Sequence, residues 1–300
     1  MDKNILYARL AVAFLCLLWG TTYIAIKFGL EDIPPYLFGA IRQLIAGVLL
    51  ILWGLIRKGF RFPSVSEVAE QIIPGLLLIS CGQGFMYWAL LYIPSGLAAL
   101  IASMIPMYAV IFSLFIPSDK QLNLHGWLGF ALGAVGMMIV FSENISYFLK
   151  PEYLIGILIT FLGAFCWAGG SFLVQAKSKN NVSPYYKAGF QLFFGSGGLF
   201  VFAYFASDFT NFHGFTLSSF LALAYLVILG SLAGYLAFLF AIKHLPVAQA
   251  TLYSYVNPLV AVFLGWVIFN EPLGWQLGAG FLVTLSGVYL LSRGFVKRTT

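Results

Sequence analysis

Of the 300 residues, 61% are hydrophobic and 9% charged, and the mean hydropathy is +0.94, which excludes a water-soluble globular protein. Soluble domains carry roughly a quarter charged residues. The net charge of +6 would suit a nucleic acid or an acidic partner, but its distribution along the chain argues otherwise.

A bilayer core demands about 20 consecutive apolar residues per helix. Ten stretches meet that demand, at roughly 6–28, 36–56, 71–92, 95–116, 123–141, 153–175, 187–206, 218–241, 247–269 and 274–292. The first follows Lys3 and Arg9, as a signal peptide would. Its length, the lack of a small-residue cleavage site and the spans that follow predict a retained helix. It carries Trp19 near its middle. Pro34-Pro35 ends it, and Arg42 then lies about two turns inside span two. Embedding an arginine costs a few kcal/mol even on lenient scales, so Arg42 needs a partner or water. A structural or gating ion pair with Glu31 or Asp32 ranks first. Direct binding of an anionic substrate group ranks second, because the guanidinium fork fits a carboxylate.

Span three carries Gln83 at mid-depth and Tyr87 one turn later on the same face. Such residues line a site or act as hydrogen-bonding glue between helices. Pro94 opens span four, where a missing donor costs little. Pro106 lies mid-span and frees a carbonyl, which lipid tolerates only where a neighbour or water satisfies it. It is a packing kink or a hinge. Span five offers Gly129, Gly133 and Gly136, small residues that let helix backbones approach.

The second half repeats these signals. Trp167 answers Trp19, with site lining and core packing equally open for both. Gln191 in span seven stands for Arg42, and Gly234-Tyr235 in span eight stands for Gly82-Gln83. Pro246 and Pro258 answer Pro94 and Pro106, Pro258 being the second hinge candidate. Tyr253 and Asn257, at i and i+4 in span nine, stand where span four has Ile101 and Ile105. The pseudo-symmetry is thus broken where a substrate would need it broken. Gly280, Thr284 and Gly287 in span ten answer the glycines of span five, and the two are expected to pair within one chain.

Five spans per copy is an odd number, so the second copy sits upside down. The fold class is therefore all-α and polytopic, with ten transmembrane helices in two inverted five-helix repeats, residues 1–148 and 149–300. Inverted repeats build a midplane site that opens to either side in turn, as in many secondary transporters. With both termini in the cytoplasm, thirteen of the 16 basic residues face inward, leaving only Lys27, Arg42 and Lys150 outside. The basic charge is the positive-inside signal of membrane topology, and no nucleic-acid partner is expected.

All ten acidic residues fall in loops or at span ends, as do His125, His213 and His244. Cys16, Cys81 and Cys166 have neither a disulfide nor a metal-ligand spacing. No metal, cofactor or catalytic group is expected. A membrane enzyme acting on lipid would want embedded carboxylates or histidines, and a passive pore would want rings of polar residues along its length. Polar and aromatic groups cluster instead near mid-depth. Trp19, Gln83, Tyr87, Trp167, Tyr235, Tyr253 and Asn257 are expected to line one cavity suited to a partly apolar metabolite such as a larger amino acid. Glu271, at the outer end of span nine, is the acid assigned to gating or proton uptake. A small-molecule metabolite and the lipid bilayer are the expected partners, with a monomer as working unit and a dimer as alternative.

The run Trp19-Gly20-Thr21-Thr22-Tyr23-Ile24-Ala25-Ile26-Lys27, then Pro34-Pro35 and Phe38-Gly39-Ala40-Ile41-Arg42, resembles the first half of the EamA family of the drug/metabolite transporter superfamily. The stretches Pro94–Pro106 and Pro246–Leu259, Asn270-Glu271 and the glycine-rich spans five and ten resemble the rest of both EamA repeats. The resemblance covers nearly the whole chain. It implies ten helices around a central cavity and export of amino acids, their derivatives or related metabolites from a bacterial cytoplasm through the inner membrane. The second half departs from the pattern, with Ala168-Gly169-Gly170 after Trp167, Gln175 for Lys27, Gln191 for Arg42, and Asp119 where the other half has Glu271.

Overall fold

A computed structural model describes residues 3–56, 61–93, 95–115, 120–143, 151–177, 182–206, 208–210, 212, 214–269 and 274–297. Pro94, Asp119, His213 and Glu271 lie outside the described residues. Helix fills each of the ten apolar stretches. Those of the first half are α1 (Lys3–Gly29), α2 (Pro35–Leu55), a continuous rod of α3 (Val65–Ala69), α4 (Ile72–Gly75), a π-helical segment (Leu76–Gln83) and α5 (Gly84–Ala89), then α6 (Ser95–Ala102) with α7 (Ile105–Phe115), and α8 (Leu124–Glu143). Their counterparts are α9 (Pro151–Ala176), α10 (Pro184–Phe205), the rod of α11 (Leu217–Tyr225), a second π-helical segment (Leu226–Ala233) and α12 (Gly234–His244), then α13 (Val247–Ala250) with α14 (Tyr253–Phe269), and α15 (Trp275–Arg293). Seven helices among the described residues are long and apolar enough to cross a membrane. The molecule is an all-helical polytopic membrane protein. Leu17, Leu52, Leu158, Val201 and Phe205 stand exposed on its surface, where acyl chains rather than water suit them.

Small residues set the closest helix pairs. A Cβ on Gly47 would lie 2.9 Å from the Gly189 carbonyl, and one on Gly189 would lie 3.0 Å from the Gly47 carbonyl. Gly54 packs on Tyr186 while Gly39 meets Leu199, so α2 and α10 run antiparallel. The same holds for α8 and α15, where Gly129 meets Gly287 and Leu291, and Gly136 meets Gly280 and Thr284. The glycine stripe of span five is therefore spent on span ten of its own chain. Without a hydrophobic force between helices in lipid, this close packing is what holds them. Contacts are also conserved when halves are exchanged: α1 packs on α14 and the second π-helical segment, as α9 packs on α6, α7 and the first.

The all-α expectation needs one amendment. Strands β1 (Lys120–Leu122) and β2 (Phe295–Lys297) form a short antiparallel ribbon with Gln121 opposite Val296. They flank the start of α8 and the end of α15, and the antiparallel packing of those helices brings the two backbones together.

Helix interruptions fall elsewhere than the mid-span prolines suggest. Span four breaks at Ser103-Met104, where the Met104 N–H turns to the Ile101 carbonyl at 2.9 Å. Pro106 then occupies the first turn of α7, where its missing donor would have had no partner. Span nine breaks at Thr251-Leu252, whereas Pro258 lies inside α14. The π-helical segments were not anticipated. Such segments are rare, cluster at functional sites, and shift the hydrogen-bond ladder so that carbonyls become available to side chains.

Candidate functional site

The two halves meet around a cavity of about 100 Å³, room for several waters. Of the seven residues expected there, Trp19, Gln83, Tyr87, Trp167, Tyr253 and Asn257 line it, and Arg42 joins them. Spans one, two, three, four, six and nine each contribute.

Its apolar wall is an aromatic cluster drawn from both halves. Trp19 sits edge-on to Trp167 at 5.8 Å between ring centroids and to Tyr253 at 4.7 Å, with Phe238 tilted against Trp19 at 5.7 Å. Edge-to-face packing of this kind contributes about 0.5–1.5 kcal/mol per pair beyond burial. The polar edges are satisfied: Trp19 Nε1 donates to the Gly230 carbonyl of the second π-helical segment at 2.9 Å, and Trp167 Nε1 donates to Tyr253 OH at 2.9 Å. Gly234 and Gly82 supply the space, since a Cβ on either would strike Trp19 or Trp167 respectively.

Opposite lies a polar ring. Arg42, 3% exposed, donates from Nε to Ser231 Oγ at 2.9 Å and from Nη1 to Tyr87 OH at 3.0 Å. Ser231 Oγ donates to Gln43 Oε1 at 3.0 Å, and Gln43 Nε2 donates to Gln83 Oε1. Gln83 and Tyr87, one turn apart, complete the circle at 3.5 Å. The expected ion pair of Arg42 with Glu31 or Asp32 is not made among the described residues; every partner of Arg42 is neutral. Asp32 instead accepts from Thr216 Oγ1 in the loop before α11. The side chain of Arg42 runs inward to the cavity, out of reach of the loop acids. No carboxylate is among the described residues that line the cavity.

Tyr235 is not brought to the cavity. It is buried, and its hydroxyl donates to Gln191 Oε1 at 2.8 Å while Gln191 Nε2 donates to Gln71 Oε1 at 2.7 Å. In this neutral trio Gln191 and Tyr235 hold the places that Arg42 and Gln83 hold in the other half. Its members hydrogen-bond one another. Asn257 lines the cavity and also ties helices together. In the amide orientation that matches donors to acceptors, its nitrogen donates to Cys16 O at 3.0 Å, Tyr253 O at 2.9 Å and Leu15 O at 3.3 Å.

Three polar residues escaped the sequence reading. Gln43 and Ser231 are single polar groups within apolar runs and carry no pattern of their own. Asp208 was read as an ordinary loop acid, but it is 5% exposed. One of its oxygens accepts from the Tyr36 N–H at 2.8 Å and the Leu37 N–H at 3.0 Å, capping α2. The local signal existed: Pro34 is the N-cap residue and has no side-chain oxygen to offer. Beside this cap lies a second cavity of about 770 Å³, lined by Glu31, Asp32, Trp88, Tyr92 and Phe202 among others.

Comparison with known proteins converges on one family. The EamA-like transporter family matches residues 6–142 and again 154–293, one copy in each half. The uncharacterized inner membrane transporter YedA of Escherichia coli strain K12 is 32% identical over 266 residues, covering 88% of this chain and 83% of that protein. An uncharacterized transporter of Archaeoglobus fulgidus is 24% identical, covering 94% of this chain and 96% of its own. A protein of known crystal structure shares the fold at a TM-score of 0.74 and 22% identity, covering 95% of this chain and 96% of that one. The chain belongs to the EamA-like transporter family.

Proposed function

We propose that this membrane transporter is a ten-helix carrier of two inverted five-helix repeats, residues 1–148 and 149–300. It exports an amino acid or related small amphipathic metabolite across a bacterial inner membrane by alternating access. The observation that carries the reading is the central cavity, lined from both halves by Trp19, Gln83, Tyr87, Trp167, Tyr253 and Asn257. Antiparallel packing of α2 on α10 and of α8 on α15 supports the inverted relation, because equivalent helices of inverted copies must run in opposite senses. The YedA relative, named as an inner membrane transporter, supports the location.

In this reading the aromatic wall takes the apolar part of the substrate and the polar ring its head group. The interruptions at Ser103-Met104 and Thr251-Leu252, near Pro106 and Pro258, serve as hinges where spans four and nine bend to open one side and close the other. Both termini are cytoplasmic, in keeping with the basic charge. With no carboxylate among the described residues of the cavity lining, transport runs down the substrate gradient or by exchange, with Glu271 the remaining acid for proton uptake.

Uptake of a panel of radiolabelled amino acids into proteoliposomes tests the carrier. Saturation, competition by unlabelled substrate and counterflow are expected. Linear, uncompeted flux identifies a pore instead, and absence of flux from the whole panel removes amino acids as substrates.

A further inference from the structure

Taking the carrier reading as its basis, we propose that Arg42 is the receptor for a single carboxylate on the transported molecule, so that the carrier accepts monocarboxylates and zwitterions and rejects organic cations. Four observations lead there. First, Arg42 is buried to 3% exposure, lines the cavity and has only neutral partners among the described residues. Second, a guanidinium has five N–H donors, and the structure gives acceptors to two of them, Ser231 Oγ on Nε and Tyr87 OH on Nη1. The Nη2 group lies beside Gly230, where a Cβ would come within 2.8 Å of it. Glycine at that position leaves Nη2 the room that a side chain would take. Third, Ser231, Gln43, Gln83 and Tyr87 hold the guanidinium in a closed ring of hydrogen bonds, so its orientation is fixed before any ligand arrives.

The fourth observation is the asymmetry between halves. At the pseudo-equivalent place Gln191, Tyr235 and Gln71 form a neutral trio that satisfies itself. Glutamine therefore serves the architecture at this position, and the buried charge of Arg42 is not required to build a repeat. A buried charge left without a counter-charge is costly, and a carboxylate supplied by the ligand removes that cost. One guanidinium balances one negative charge, which favours a carboxylate over a dianionic phosphate. A cation entering the same cavity meets Arg42 and no acidic side chain among the described residues of the lining, so like-charge repulsion excludes it.

The test uses the full-length protein in proteoliposomes and in detergent with four ligands that share a phenyl group: 3-phenylpropionate, L-phenylalanine, 2-phenylethylamine and 2-phenylethanol. Dissociation constants are read from ligand-dependent thermal stabilisation. The carboxylate-bearing pair is expected to bind at least tenfold more tightly than the amine or the alcohol. Arg42→Gln, the residue the other half uses, is expected to fold and to lose at least tenfold in affinity for that pair. Arg42→Lys is expected to fall between, because it keeps the charge and loses the fork. Equal binding of all four ligands, tighter binding of the amine, or no binding of the carboxylate pair overturns the proposal. So does unchanged carboxylate affinity in Arg42→Gln. Should Arg42→Gln fail to fold, the lysine variant and the wild-type ranking still decide. Saturable flux of an amine or neutral compound in the proteoliposomes would sink the carboxylate site while leaving the carrier itself standing.

Discussion

Asp208→Ala removes the oxygen that caps α2 from the far half of the sequence. Two backbone donors lose their acceptor, Tyr36 N–H at 2.8 Å and Leu37 N–H at 3.0 Å. Both bonds share one oxygen, and the neighbouring cavity of about 770 Å³ lets water reach the freed groups. The loss should then resemble that of a good N-cap, about 1–2 kcal/mol. For a chain of this size that corresponds to a fall of about 2–6 °C in apparent melting temperature. Asp208→Asn keeps an acceptor oxygen and should stay within about 0.5 kcal/mol of wild type. Acidity gives a second, independent readout. Burial raises the Asp208 carboxyl above its ordinary value of 3.8, and the hydrogen bonds from the Leu37 and Tyr36 N–H groups offset only part of that. The folded state therefore holds the proton more tightly than the unfolded chain. Stability contributed at this residue rises as pH falls through the folded pKa and levels off below 3.8. Scanning fluorimetry of purified wild type, Asp208→Ala and Asp208→Asn, carried from neutral pH down past the ordinary carboxylate value of 3.8, measures both effects. Wild type should gain on Asp208→Asn as pH falls. An Asp208→Ala protein that melts with wild type, or a wild type that loses ground to Asp208→Asn on acidification, would refute the cap or its sign.

Gly136→Leu drives a side chain into α15, where even a Cβ would lie 2.7 Å from Thr284 N and 2.8 Å from the Gly280 carbonyl, so overpacking of about 1–3 kcal/mol or more should sharply lower the yield of folded protein. Normal yield and melting would show that α8 and α15 do not rely on that approach. Asn257→Leu removes the amide that ties α14 to the Cys16 and Leu15 carbonyls, at about 0.6–1.7 kcal/mol. It should weaken transport in folded protein, because Ile105 holds the pseudo-equivalent place; normal transport at normal yield counts against the site. Trp19→Phe keeps the ring packing but leaves the Gly230 carbonyl without its indole donor, and a melting loss equivalent to about 1–3 kcal/mol is expected, with no loss as the contrary result. Reporter fusions after Gly59 should read cytoplasmic and fusions after Ser146 external, and the reverse, or one side for both, is incompatible with inverted repeats.

Much of this protein is legible in one dimension. Lipid offers no hydrogen bonds, so each crossing must be a helix of apolar residues, and composition alone marks where the helices run. The observed ends agree with the apolar stretches to within a few residues in most cases. Repeated tryptophans, prolines and glycines mark the two halves because each copy must solve the same packing problem. Trp19, Trp167, Tyr253, Asn257, Gln83 and Tyr87 could be singled out because polar and aromatic groups at mid-depth are few.

Tertiary structure decided how those residues are used. Depth along a helix is written in the sequence, but azimuth relative to other helices is not. Tyr235 therefore looked equal to Tyr87 until Gln191 and Gln71 turned it away from the cavity. Arg42 had acidic loop residues nearby in sequence, yet its side chain runs to Ser231, 189 residues away. Asp208 and the start of α2 are 172 and 171 residues apart, and only folding brings the acid to the helix end that Pro34 leaves uncapped. The second π-helical segment likewise leans on a distant neighbour, since Trp19 takes up the Gly230 carbonyl. Local chemistry fixed what crosses the membrane; long-range packing fixed which of the buried polar groups remain free to meet a ligand.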